Sequence, residues 1–344
     1  MKILFVGETN LGSRTPQRIQ SLRDLGHEVA VAGTTPPGWS YETRPGVVDR
    51  LFYAMRLPLD RAEAGRAIIN GVKGHDVLIL DNARAIRPEV LRTARQIEPR
   101  IRMVWYSEDD MLNPIHRSRW IERSLGIFDL CVTTKSFNAR PEELPALGVR
   151  KVLFVNNAYC PHAHRSIRLA PNDVTRWGSA ASFVGTFEAP RAESMLELAR
   201  AGIPVRIWGN GWNGMRSAHP LMRIENRPAY GDEYRRIVSA SLINLCFLRH
   251  GNRDRQTCRS VEIPAMGGFM AHEFSDEMAA LFASDREAIY FRDAGELVRV
   301  CRAWLADKDR RESVAASGHR RVVEGGFSHG ERWRFILDQV IGTT

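Results

Sequence analysis

Chemistry-bearing side chains are densest in the run Cys-Arg-Ser-Val-Glu-Ile-Pro-Ala-Met-Gly-Gly-Phe at 258–269. Arg259 and Glu262 stand three residues apart, so on a helix they share a face. Gly267 and Gly268 break that helix before an apolar stretch, and paired glycines let backbone N–H groups come close to an anion. A carboxylate accepts hydrogen bonds from ribose hydroxyls. A guanidinium grips a diphosphate with two donors at once. Together these groups would hold a nucleoside diphosphate without a metal ion. The same spacing also fits a surface ion pair next to a helix-capping glycine.

Three other places carry candidates. Tyr-Ser-Glu-Asp-Asp-Met-Leu-Asn-Pro (106–114) directly follows a strand-like run. A carboxylate at a strand's carboxyl end could act as general base toward an acceptor hydroxyl. Asp109 is the first candidate for that role and Asp110 the second, while acids at a helix start are the plain alternative. No partner acid or histidine at ligand spacing accompanies them, so no metal site is expected. His116 is a weaker candidate, and His162 with His164 reads as a solvated surface pair. The second place is Gly-Glu-Thr-Asn-Leu-Gly, from Gly7 to Gly12, between a strand and a helix that carries Arg18. A phosphate could meet a helix N-terminus there. The loop is neither G-x-G-x-x-G nor a P-loop, and an ordinary turn remains open. The third is Ala-Ser-Phe-Val-Gly, ending at Gly185, followed by Arg191 at a helix start, from which a guanidinium could reach a diphosphate. Tyr230, just ahead of a helix at 232–241, could lie near a nucleotide base.

The elements that must position these residues alternate regularly. Strand-like runs at 2–7, 27–33, 76–81, 101–107, 129–134 and 151–157 are separated by helical stretches at 15–26, 87–97 and 118–125. Thr15 and Pro16 suit a helix start. After a polar stretch the pattern restarts with strands at 181–185, 203–209, 242–248, 268–272 and 288–291. Helices are predicted near 191–200, 232–241, 260–266, 295–305 and 331–341. Continuous apolar strands between helices imply parallel sheets covered on both faces. The expected architecture is α/β, with two Rossmann-like domains. The first spans 1–165, a linker 166–178 and the second 179–328, and a last helix at 329–344 presents Trp333, Ile336, Leu337 and Val340 as one stripe. Ligands of such sheets bind outside the carboxyl ends of the strands, so a cleft between facing sheets is the expected site.

Composition narrows the classes. The 344 residues are 44% hydrophobic and 26% charged, as in a soluble globular protein. No apolar run approaches the roughly 20 residues of a membrane span. The opening Met-Lys-Ile-Leu-Phe-Val-Gly reads as a strand and not as a signal peptide, so a cytoplasmic location is expected. The five cysteines form no C-x-x-C pair. The net charge is +9, and 44 of the 49 basic residues are arginine. Up to residue 165 the chain has 24 basic and 18 acidic residues (+6), and beyond it 25 and 22 (+3). The excess forms no block or stripe, so nucleic acid is not an expected partner. Peripheral contact of the first part with an anionic membrane is a possible consequence of its charge.

With these residues on the page, the chain resembles glycosyltransferases of the GT-B fold, and within them the CgeB-like (spore maturation protein type) group. Arg-Ser-Val-Glu-Ile-Pro-Ala-Met-Gly-Gly-Phe (259–269), Glu-Ala-Ile-Tyr-Phe-Arg-Asp-Ala-Gly-Glu-Leu (287–297) and the stretch 317–332 carry the resemblance, and Arg18, 25–29, 106–110 and 133–138 agree with it. It implies a nucleoside-diphosphate sugar, UDP or GDP based, as co-substrate, with no bound cofactor or metal. Glu262 falls on the ribose-binding glutamate, Arg259 and Arg191 near the diphosphate, and Gly267 and Gly268 on a phosphate-facing turn. The acceptor, a glycan, a lipid-linked molecule or a protein, would contact the first domain, and the last helix would cross back onto it. The retaining members have glutamates eight residues apart, whereas here the earlier position is Asp254. Retaining and inverting chemistry both stay open. A nucleotide-sugar epimerase and a non-catalytic nucleotide- or glycan-binding descendant are the competing readings.

Overall fold

The structure, a computed structural model, describes residues 1–342. The order in the first part is β1 (Lys2–Gly7), α1 (Thr15–Asp24), β2 (Glu28–Gly33), α2 (Val47–Ala54), α3 (Ala64–Gly71), β3 (Val77–Asp81), α4 (Pro88–Ile97), β4 (Arg102–Ser107), α5 (Arg119–Glu122), β5 (Leu130–Thr133) and β6 (Val152–Phe154). Then follow α6 (Pro171–Trp177), β7 (Ala181–Val184), α7 (Ala189–Arg200), β8 (Val205–Trp208), β9 (Met222–Ile224), α8 (Gly231–Ala240), β10 (Ile243–Cys246), α9 (Arg259–Ala265), β11 (Met270–Glu273), α10 (Asp276–Leu281), β12 (Ile289–Phe291), α11 (Ala294–Ala306), α12 (Lys308–Glu324) and α13 (His329–Ile341). The chain divides into two compact units: Met1–Asn156 together with α13, and Asn157–Ser328.

The first unit holds a six-stranded sheet in the order β2-β1-β3-β4-β5-β6, parallel throughout. Alternate residues of each strand point to opposite faces. Leu4, Val6, Leu78, Leu80, Met103 and Trp105 pack on one face with Ile68 of α3 and Leu91 of α4. Ile3, Phe5, Val77, Ile79, Val104 and Tyr106 pack on the other with Ile19 and Leu22 of α1. The predicted stripe Trp333, Ile336, Leu337 and Val340 of α13 closes that second face, with Trp333 edge-on to Phe5 at 5.8 Å between ring centres. This is why strands such as Val-Leu-Ile-Leu-Asp are apolar at every position: both faces are covered.

The second unit has a parallel six-stranded sheet ordered β12-β11-β10-β7-β8-β9. Its α7 and α11 cover one face, and α8, α9 and α10 the other. The stretch 166–178, read from sequence as a linker, contains α6. Its Asp173 takes the N–H of Ala170 at 2.8 Å and pairs with Arg236 of α8 at 2.8 Å, so it is built into the second unit. Among the described residues no helix is long and apolar enough to cross a membrane.

Candidate functional site

Each sheet has one point where strand order reverses. There the loops from neighbouring strands run in opposite directions and leave a crevice at the carboxyl ends. In the first unit it lies between β1 and β3, in the second between β7 and β10.

At the first crevice the register sets Gly7 beside Asp81 and Asp81 beside Tyr106. A Cβ on Gly7 would come within 2.8 Å of the Thr15 Oγ1, so glycine is what lets α1 start this close to β1. Thr15 Oγ1 donates to Asp81 Oδ2 at 2.7 Å. Arg18, one turn further along, donates from Nη1 to both oxygens of Asp81 at 2.7 and 2.8 Å. Its Nη2 pairs with Glu108, and its guanidinium lies 4.5 Å from the centre of the Tyr106 ring. Burial alone would lower the Arg18 guanidinium, but Asp81 and Glu108 outweigh it and raise it well above its ordinary value. Arg18 is thus committed to two carboxylates. A buried arginine with carboxylate partners already carries its counter-charge. Gly12, with φ of +87°, turns the loop above this cluster.

Glu108, in the run 106–114, pairs with Arg18. Burial opposes its ionisation, but Arg18 and Arg14 overcome this and lower it from 4.5 to about 2. A carboxyl depressed on folding stabilises the native state above its ordinary value, and that contribution fades as pH falls. Acid unfolding of the wild type is therefore expected to steepen between pH 4.5 and about 2, and Glu108→Gln should flatten this window. Superimposable acid-unfolding curves of the two proteins would exclude Glu108 as the group.

The two candidate bases are placed differently. Asp110 is buried, its Oδ1 accepting the Leu112 N–H and the Asn138 amide, both at 3.0 Å. These bonds shape the turn. The Asp109 carboxylate is partly exposed, receives Asn82 Nδ2 at 3.3 Å and lies 3.9 Å from His116 Nδ1. Its side chain is 21% exposed, as against 22% for Glu108.

At the second crevice three predicted residues meet. Arg259 donates through Nε to the Val184 carbonyl at the end of β7, and both Arg259 and Arg191 lie over the Phe183 ring, at 5.7 and 5.4 Å. A Cβ on Gly185 would stand 2.8 Å from Arg259 Nη2, so glycine leaves the guanidinium its room. Arg191, 3% exposed, reaches the carbonyls of Thr186 at 3.3 Å and Leu248 at 3.4 Å and pairs with Glu188 at 2.9 Å. Its Nε has no hydrogen-bond partner among the described residues. Burial lowers the Arg191 guanidinium from its ordinary value; Glu188 opposes this, while Arg259 and Arg249 add to it. Positive charge is thus gathered at the start of α7, where a helix N-terminus also favours an anion. Arg249, in the loop after β10, was not singled out in the sequence; an arginine one residue past an apolar strand was the available signal.

Glu262 is buried at 3% exposure. Tyr234 Oη donates to its Oε2 at 3.3 Å, and His164 Nε2 stands 3.8 Å from its Oε1. The Cys160 N–H donates to His164 Nδ1 at 3.1 Å, which places the ring proton on Nε2, facing the carboxylate. His164 is therefore not half of a solvated pair, although His162 is exposed. Behind α9, Ser260 and His272 contact each other at 2.8 Å and join that helix to β11. Gly267 and Gly268 prove to serve the helix end. Their N–H groups donate to the carbonyls of Pro264 at 2.9 Å and Ile263 at 3.0 Å, with Gly267 at φ +77°, a Schellman-type cap. These two N–H groups are therefore taken up by the helix end. Tyr230 directly precedes α8, one turn before Tyr234. Asp254 accepts Asn252 Nδ2 at 2.7 Å within its own turn. Among the described residues no group of three or more His, Cys, Asp or Glu side chains is arranged to hold a metal ion.

This geometry, two Rossmann-like units each with a crevice at the carboxyl ends of a parallel sheet, is the GT-B fold. Residues 191–338 match the glycosyl transferase-like family. Among solved structures, the HepE protein of Anabaena in complex with UDP and glucose is similar over 98% of this chain and 100% of its own, at 12% identity and a TM-score of 0.63. Sucrose-phosphate synthase from Thermosynechococcus elongatus matches over the full length of both chains, at 12% identity and a TM-score of 0.69. A glycosyltransferase from Rickettsia africae matches over 100% of this chain and 99% of its own, at 10% identity and a TM-score of 0.66. Among curated protein sequences nothing matches.

Proposed function

We propose that the protein is a glycosyltransferase of the CgeB-like type, which takes a hexose from a nucleoside-diphosphate donor on the second unit and passes it to a hydroxyl of an acceptor on the first. The observation that carries this reading is the arginine group at the β7–β10 crevice, above all Arg191 with its buried, unpartnered Nε. A buried donor of this kind calls for an acceptor atom, and a diphosphate supplies several. Arg259 and Arg191 would bind the diphosphate and stabilise its growing charge as the sugar C1–oxygen bond breaks, so that no metal is required. Glu262, oriented by Tyr234 and His164, would accept the ribose hydroxyls. UDP is the leading nucleotide, since the HepE structure contains it. In an inverting course Asp109 takes the acceptor hydroxyl's proton while that oxygen attacks C1 and the nucleoside diphosphate departs. The acceptor would be a glycan, a lipid-linked molecule or a protein.

Calorimetric titration with UDP and GDP, on the wild type, Glu262→Ala and Asp109→Asn, tests this. One diphosphate is expected to bind the wild type. Hydrogen bonds to a charged group are worth about 1.5–3 kcal/mol, so Glu262→Ala should weaken that binding roughly 10- to 100-fold. Asp109→Asn should bind the nucleotide normally and lose roughly 100-fold or more in transfer. Failure of both nucleotides to bind the wild type would sink the reading. Unchanged binding by Glu262→Ala would move the ribose site elsewhere.

A further inference from the structure

Helix α2 reads Val-Val-Asp-Arg-Leu-Phe-Tyr-Ala and buries none of its residues. Val47 is 72% exposed, Leu51 58% and Val48 53%. Val47, Leu51 and Met55 follow one another at successive turns, with Val48 and Phe52 alongside, so they form one ridge. Trp39 and Tyr41, from the segment leading into α2, and Tyr53 are also exposed. An exposed patch of this kind marks an interaction surface.

A groove of about 480 Å³ lies next to the ridge. Leu59, Ile69 and Val90 give it an apolar wall, and Arg61, Arg66 and Arg87 bring guanidinium groups to it. Arg61 Nε donates to Asp49 of α2 at 2.8 Å, which joins groove and helix. Its one acid, Asp60, is occupied as the cap of α3, accepting the N–H groups of Ala64 at 2.9 Å and Gly65 at 2.7 Å. Arg87 stacks over Trp120 at 5.3 Å. Arg44 and Arg50 are exposed on either side of the Val47–Val48 pair.

We propose that this face of the first unit docks on the surface of an anionic phospholipid bilayer. The ridge of α2 enters the boundary between headgroups and acyl chains, with Trp39 and Tyr41 at headgroup level, and the groove arginines meet lipid phosphates. Arg61 pairs with Asp49 at 2.8 Å and Arg66 with Glu63 at 3.4 Å, both part-exposed pairs that a lipid phosphate can join, and an apolar helical ridge beside such guanidinium groups is the pattern of interfacial binding. Both charge and apolar area contribute to it, and arginine stems add apolar contact while their heads stay at the phosphates. The +6 of residues 1–165 is complementary to an anionic surface. The proposal does not depend on the transferase reading.

Flotation of the full chain with vesicles of phosphatidylcholine, with and without phosphatidylglycerol, tests it. The wild type is expected to float with the anionic vesicles and to be released as salt rises. The double variant Val47→Asp with Leu51→Asp alters two exposed positions, so its thermal melting should match the wild type while its partitioning falls more than about tenfold. Arg66→Ala and Arg87→Ala should each lower partitioning by about fivefold on anionic vesicles alone. Equal partitioning of the wild type onto both vesicle types would overturn the proposal, as would equal partitioning of wild type and the aspartate variant. Absence of flotation, together with a wild-type dimer in sedimentation that the aspartate variant dissolves, would assign the face to a second copy of the chain instead.

Discussion

Asp81→Ala is expected to destabilise the first unit by about 3–5 kcal/mol, the range for removing one partner of a buried ion pair. Arg18 and Asp81 are 5% and 4% exposed, so solvent screens little of their interaction. Without Asp81, the guanidinium keeps Glu108 but loses two short hydrogen bonds, and Thr15 loses its acceptor. Urea unfolding of the full chain measures the loss, and hydrogen exchange of the amides in β1, β3 and α1 assigns it to this unit. Two companions separate causes. Thr15→Val removes one hydroxyl donor to the Asp81 carboxylate and should cost about 1.5–3 kcal/mol. Arg18→Met combined with Asp81→Leu removes both charges and should recover much of the Asp81→Ala loss, since apolar replacements of buried pairs are often near neutral. A loss below about 1 kcal/mol in Asp81→Ala would show that the cluster does not hold α1 to the sheet.

That cluster also shows what a sequence reading cannot supply. The apolar run ending at Asp81 announces a strand covered on both faces, and the stripe from Trp333 to Val340 announces a packed helix; both are as expected. Arg18 and Asp81 are 63 residues apart in the chain, and only the order β1-β3 brings them together. His164 and Glu262 meet in the same long-range way, so an H-x-H in a polar stretch looked solvated until the fold buried half of it. Helix α12 was not predicted because its buried residues, Arg311, Val314, Gly318 and Val322, make a thin stripe on a polar sequence. Helix α2 was not predicted because it packs no face against the sheet, and periodicity reports packing. Gly267 and Gly268 were found as a helix break, but sequence cannot say whether their N–H groups face a ligand or the helix's own carbonyls.

With those amides taken up by α9, the diphosphate of the proposed donor depends on guanidinium groups, and the two arginines are not equivalent. Arg191 holds the carbonyls of Thr186 and Leu248, so its removal would loosen the loops after β7 and β10 as well as the charge. Arg259 anchors through Nε to one carbonyl and is only half-buried, which leaves its outer edge to a ligand. Arg259→Ala is therefore the cleaner variant. Truncating one partner of a desolvated charge pair costs about 2–5 kcal/mol, so UDP binding should fall by about 30-fold at the least. Uridine carries no diphosphate, and its binding should stay within about twofold. The ratio of UDP to uridine affinity thus isolates the diphosphate from any general disturbance of the pocket. Arg259→Lys keeps the charge and loses the planar fork, so it should recover part of the affinity and show a steeper salt dependence than the wild type. Calorimetry of the three proteins with both ligands decides the matter. A parallel loss of UDP and uridine would make Arg259 a packing residue. Unchanged UDP binding would leave Arg191 and Arg249 as the groups that face the phosphates.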